Sequence, residues 1–196
     1  MRRICIIVPG IHTSKRESRE WCGRLAGIIE AGVPESTCIV YHHGWIAGVQ
    51  ILARYFRRRK VKRFQNWVAA RLREIDPGAV PCAVAHSFGT WLVHQSMTDN
   101  GGPHTFWDRL VYCGGIVSCR EDFKQEAGHF WELLNFFSRH DEVVRFAPFG
   151  HCGFAGFQAA HPDGPVRNVE TRLEHTGYLQ AGPVWARIVS FLGGTA

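Results

Sequence analysis

Apolar and polar positions along this chain fall into two alternating rhythms. Short β-branched or apolar runs, "RICIIVPG", "STCIVYHH", "VPCAVAHS", "RLVYCGGIVS", "WELLNFFSR" and "VRNVETRLE", read as strands. Among them, "REWCGRLAGIIEAG", "FQNWVAARLREIDPG", "GTWLVHQSM" and "PVWARIVSFL" place apolar residues at helical spacing. Strands that alternate with helices pair in parallel through right-handed crossovers. The pattern therefore predicts a three-layer α/β/α sandwich around a mostly parallel sheet of about six strands. Where the chain leaves two of the helices, "EAG" at Gly32 and "DPG" at Gly78 are expected to supply left-handed residues.

Composition narrows this picture. A chain of 196 residues with 45% hydrophobic content suits one compact domain spanning 1–196. No apolar run reaches the roughly 18 residues of a membrane span, and "MRRICIIVPG" has an apolar segment too short for a secretory signal. A soluble, cytoplasmic protein is expected. Seven cysteines stand at 5, 22, 38, 82, 113, 119 and 152. An odd, scattered set without a CxxC pair is read as reduced core residues rather than as disulfides or a zinc site, and no metal or cofactor is called for.

In a parallel sheet ligands gather at the carboxyl ends of strands, so residues just beyond each strand matter most. Ser87 is one of them. It interrupts an apolar run at a strand-to-helix junction, with small residues two before and two after, Ala85 and Gly89. A serine hydroxyl becomes a nucleophile only beside a base that is itself oriented by an acid. Downstream, Asp141 follows an apolar strand in "RHDEVV", with Glu142 as its neighbour and Asp122 as an earlier alternative. His175 stands in "EHTGY", shortly before the final helix.

The motif "AHSFG" is the G-x-S-x-G nucleophile elbow with alanine first, and from here the chain resembles the α/β-hydrolase superfamily. That resemblance implies a catalytic order of Ser87, Asp141 and His175. It also implies an oxyanion hole made by the backbone N–H groups of Phe88 and, after the first strand, of Ile11 in "VPGIHTS". There Pro9 replaces the family's usual histidine; His12 is a candidate to compensate or to line the pocket, and Thr13 or Ser14 a candidate helix cap. Only a short stretch separates "CGGIVS" from "WELLNFFS", where the family often inserts a cap domain. A small, lidless hydrolase, similar in outline to cutinases and small esterases, follows.

The loop 146–165, rich in Gly and Phe, lies between acid and base. Phe149, Phe154 and Phe157 are candidates for an apolar wall, with at least one of them spent on the core, and His86 is a further candidate contact for substrate. The segment 44–64 carries Val49, Leu52 and Phe56 on a helical stripe and seven basic residues within 54–63. It reads either as a solvated helix or as a contact for anionic lipid or an acidic polymer; no nucleic-acid motif accompanies it. The function expected is hydrolysis of carboxylic esters or thioesters through an acyl-serine. Acyl transfer, and a binding protein that keeps the hydrolase shell and works through its basic segment, are the alternatives.

Overall fold

The computed structural model describes residues 2–11, 15–42, 54–98, 102–123 and 128–194. Six strands form one sheet: β1 (Arg3–Val8), β2 (Ser36–Val40), β3 (Val80–His86), β4 (Trp107–Cys113), β5 (Phe130–Ser138) and β6 (Val166–Thr171). Their order is β2-β1-β3-β4-β5-β6, and every neighbouring pair is parallel. Among the described residues four longer helices cover the sheet: α1 (Lys15–Gly32), α2 (Arg54–Ile75), α3 (Phe88–Thr98) and α6 (Gly182–Gly193). Two single-turn helices, α4 (Glu142–Arg145) and α5 (Cys152–Ala155), lie between β5 and β6.

The pleat divides the core in two. Ile4, Ile6 and Val8 of β1 face α2 and α3 together with Ala83, Ala85, Leu110 and Tyr112. Cys5 and Ile7 face α1 and α6 together with Cys82, Val84, Val111 and Cys113. α1 meets its side through Trp21, Cys22, Leu25 and Ile29, and α6 through Val184, Trp185, Ile188, Phe191 and Leu192, both at helical spacing. Val61, Phe64 and Val68 do the same for α2 on the opposite face. Complete burial of a side chain such as Phe64 contributes roughly 1.5–3 kcal/mol over leaving it exposed.

Strand order also locates the crevice. From β1 the chain steps outward to β2 through α1, then back across β1 to β3 through α2 on the other face. A crossover that reverses direction must change face to stay right-handed. The reversal falls between β1 and β3, so the carboxyl ends of these two strands, at Val8 and His86, mark the place where such sheets hold their ligands.

The two glycines expected in left-handed conformation do not adopt it; among the described residues the positive-φ glycines are Gly114, Gly150, Gly156 and Gly194. Gly32 is instead the last residue of α1, where an added Cβ would lie 2.4 Å from Cγ1 of Val189 on α6, so the glycine permits helix-to-helix approach. After α1 the left-handed position is Glu35, with φ 55°. At the end of α2, the Gly78 N–H is bound by Asp76 Oδ1 at 2.9 Å, an Asx turn that needs no left-handed residue. The left-handed cap does occur after α6, at Gly194 with φ 81°.

Candidate active site

Ser87 sits between β3 and α3 with φ 52°, in the left-handed region that non-glycine residues rarely occupy. Strain of this kind persists only where the surroundings hold it. Here the Ser87 N–H donates to the Cys113 carbonyl at 3.1 Å, and the Ser87 carbonyl accepts from both the N–H and Oγ1 of Thr90, at 3.0 and 2.7 Å. Thr90 Oγ1 in turn accepts from the Ile116 N–H at 3.1 Å, tying the turn to the loop after β4. The small residues around the serine are needed for approach. A Cβ on Gly89 would lie 2.2 Å from the Val8 carbonyl oxygen, and one on Gly10 would lie 2.9 Å from Ser87 Cβ. Thus the loop after β1 and the turn after β3 close on the same point.

Three elements far apart in sequence meet there. His175 Nδ1 lies 2.9 Å from Asp141 Oδ2, and His175 Nε2 lies 3.0 Å from Ser87 Oγ. An imidazole that donates from Nδ1 to a carboxylate leaves Nε2 as the acceptor for the serine hydroxyl. Asp141 is fully buried, and its other oxygen, Oδ1, accepts from the Val144 N–H at 3.0 Å, capping α4. Both carboxylate oxygens are thus spoken for, and the side chain cannot swing. Glu142 is exposed and pairs with Arg145, while Asp122 is exposed in the loop after β4.

The sequence reading overlooks Gly114. Its φ is 53°, and a Cβ there would stand 3.0 Å from Asp141 Oδ2 and 3.2 Å from His175 Nδ1. The signal for it is the glycine pair in "YCGG" directly at a strand end.

His86 also differs from a solvent-facing contact. It is buried, and its Nε2 donates to the backbone carbonyl of His175 at 2.9 Å, with ring centroids 4.7 Å apart. Burial, and secondarily the neighbouring His175, push its pKa from the ordinary 6.5 down to about 3, so its ring is neutral. Phe88 opens α3 and is buried, and Ile11 lies half-buried two residues beyond Pro9. His12, Thr13 and Ser14 lie outside the described residues, as do Val49 and Leu52.

Of the loop phenylalanines, Phe157 is core, against Phe123 and Tyr112. Its backbone is pinned by Asn168, which accepts from the Phe157 N–H at 3.0 Å and donates to its carbonyl at 2.8 Å. Phe149 is half-buried, with its ring centroid 5.9 Å from that of Trp91 on α3. Phe154 is half-buried beside Arg145, whose guanidinium lies 5.7 Å from its ring centroid. The basic residues 54–63 form the first turns of α2, with Arg58, Arg59, Lys62 and Arg63 exposed.

No protein-family model matches the chain, and no curated protein matches it in sequence. Solved structures do match over nearly its whole length. TT1662 from Thermus thermophilus superposes with a TM-score of 0.68 at 13% identity, covering 99% of this chain and 89% of that one. The esterase Pf2001 of Pyrococcus furiosus gives 0.60 at 11% identity, covering 97% and 82%. A Xanthomonas campestris protein assigned to the alpha/beta hydrolase superfamily gives 0.59 at 13%, covering 98% and 99%. The chain has the α/β-hydrolase fold, built on an all-parallel six-stranded sheet. Among the described residues no helix is long and apolar enough to cross a membrane.

Proposed function

We propose that this chain, as a single domain, is a serine hydrolase that cleaves carboxylic ester or thioester bonds through an acyl-serine intermediate. The observation that carries this reading is the unbroken hydrogen-bonded line from Ser87 Oγ through His175 to a fully buried Asp141, at 3.0 and 2.9 Å. Hydrolase and esterase descriptions of proteins that share the fold support it.

In this reading Ser87 Oγ attacks the acyl carbon as its proton passes to His175 Nε2. The imidazolium is stabilised by Asp141, and the tetrahedral oxyanion accepts from the N–H groups of Phe88 and Ile11. Collapse breaks the bond to the leaving oxygen or sulfur, which takes the proton from His175. Water then attacks the acyl-serine, His175 accepts its proton and returns it to Ser87 Oγ, and the acid departs. His86, neutral and bonded to the His175 backbone, holds the base in place rather than meeting substrate. Phe149 and Phe154 remain the proposed apolar wall. Beyond the site, the exposed basic residues of α2 are proposed to meet anionic surfaces. An odd set of cysteines without a disulfide framework fits a reducing compartment, so the cytoplasm is the proposed location.

The test is intact-mass analysis after treatment with a fluorophosphonate. One adduct, mapped to Ser87, is expected. A folded protein that takes no label would favour the alternative of a binding protein with a hydrolase shell.

A further inference from the structure

In a parallel sheet each helix starts at the edge where its preceding strand ends. The first turns of α2 therefore stand at the same carboxyl edge as Ser87. Arg57 lies in the first turn. Its guanidinium carbon is 4.9 Å from the ring centroid of Phe149 and 5.9 Å from that of Trp91. Trp91 is itself stacked on Phe88, the residue next to Ser87, with centroids 5.3 Å apart and planes inclined by 25°. A continuous aromatic tier thus leads from the serine to one guanidinium.

That guanidinium is unusual in its electrostatics. Its Nε is buried and has no hydrogen-bond partner, and among the described residues no carboxylate pairs with it. A buried donor without a partner calls for a cause, since each such group costs free energy that a partner would return. No acidic residue occupies the first turn of α2, where helix geometry favours negative charge, and Arg58 and Arg59 follow directly. Lys60 has its pKa lowered, by burial first and then by Arg63. At the catalytic edge Arg57 therefore carries a positive charge that no carboxylate among the described residues pairs with, its planar fork set beside two aromatic rings. Guanidinium groups seated in this way bind carboxylates bidentately, which a lysine cannot do.

We infer that Arg57 is a specificity-determining residue which binds a carboxylate at the far end of the substrate, making the preferred class acid-terminated esters or thioesters. The methylene chain of such a substrate would lie along Trp91 and Phe149, with its ester carbon at Ser87. This inference rests on the hydrolase reading above. It adds the substrate class that the nucleophile alone leaves open.

The experiment compares kcat/KM for two pairs of esters matched in length. In one pair the acyl group carries the charge: the nitrophenyl hemiester of glutaric acid against nitrophenyl valerate. In the other the leaving group carries it: 4-acetoxybenzoate against phenyl acetate. The readout is the ratio of charged to neutral ester. The wild-type protein should prefer the charged member of at least one pair. Arg57→Gln should lower that ratio roughly 10- to 100-fold, the range for loss of a charged hydrogen bond, and Arg57→Lys should recover part of it. Arg73→Gln makes the same charge change at the far end of the helix, about 24 Å away along its axis, and should leave the ratio as it is. Free glutarate should compete with nitrophenyl valerate on the unaltered protein, and glutaramide should not, an arm that needs no variant to fold.

Ratios near one in both pairs, or an equal fall in Arg73→Gln, would overturn the inference, because general charge attraction would then suffice. A failure of the hydrolase reading looks different: no ester of either pair is turned over, and Ser87 takes no fluorophosphonate.

Discussion

The imidazole of His86 donates from Nε2 to the backbone carbonyl of His175 across 2.9 Å, so a neutral histidine holds the segment that carries a second one. The groups around His86 are His175 and Asp141, with Trp21 and Tyr178 against its ring. Because its pKa in the folded protein is about 3 against an ordinary 6.5, the unfolded chain binds a proton between these values that the folded chain does not. Stability from this residue is complete above about pH 6.5 and is lost as pH falls toward 3. We expect the free energy of unfolding in urea to drop more steeply between pH 7.5 and 4 in the wild type than in His86→Gln, by an amount on the order of a few kcal/mol at most. Parallel curves for the two proteins would refute this.

Replacing Asp141 by Asn keeps an oxygen to cap α4 but removes the charge that orients and stabilises the His175 ring. Turnover of a nitrophenyl ester should fall by about three to four orders of magnitude while the thermal midpoint moves by only a few degrees. Asp122→Asn should behave nearly as wild type. Greater damage from Asp122→Asn would show that the acid has been assigned wrongly.

Gly114→Ala tests the space between acid and base. Its φ of 53° costs a β-carbon on the order of 1 kcal/mol, and the new methyl would press on Asp141 Oδ2 and His175 Nδ1. Turnover should drop by an order of magnitude or more, with a modest loss of thermal stability. Gly23→Ala, in α1 with open space around it, is the control and should stabilise slightly.

Four exposed basic residues, Arg58, Arg59, Lys62 and Arg63, project from the early turns of α2. Near an anionic membrane each contributes roughly 1 kcal/mol, screened over about 8 Å at physiological ionic strength. Co-sedimentation with vesicles containing phosphatidylserine should be measurable at low salt and weaken with added salt. It should decline in a triple Arg58→Gln, Arg59→Gln, Lys62→Gln variant. Sedimentation indifferent to the three substitutions would leave this face as an ordinary solvated one.

Much of the fold is legible in the residues because each strand is bounded by a change of rhythm, and because parallel strands buried on both faces read as dense apolar runs. Ser87 is legible for a local reason: the strained turn admits only small neighbours, and Ala85 and Gly89 stand where they are needed. Asp141 and His175 become visible only through chain order, since nothing local separates them from Glu142 or the other histidines. Helices α4 and α5 escape notice because one turn is too short to show a period. Arg57 is hidden for another reason. Within a run of seven basic residues Arg57 and Lys60 are both half-buried, and only the positions of Trp91 and Phe149 single out Arg57. Gly32 illustrates the converse, a helix-ending signal whose cause is a neighbour, Val189, that lies 157 residues further along the chain.

Three thiols stand in one row across the sheet: Cys38 on β2, Cys5 on β1 and Cys82 on β3 occupy matched register positions. Six of the seven cysteines are buried, and burial pushes the thiols of Cys82 and Cys113 up to about 12, so neither is a thiolate at neutral pH. Only Cys38, on the edge strand, is partly open to reagents. The protein therefore carries its own gauge of opening. Under a pulse of maleimide, Cys38 should react at once, and the others only when the layers covering them part. The order in which their masses appear would rank the helices and strands by how readily each lets go, without any added probe.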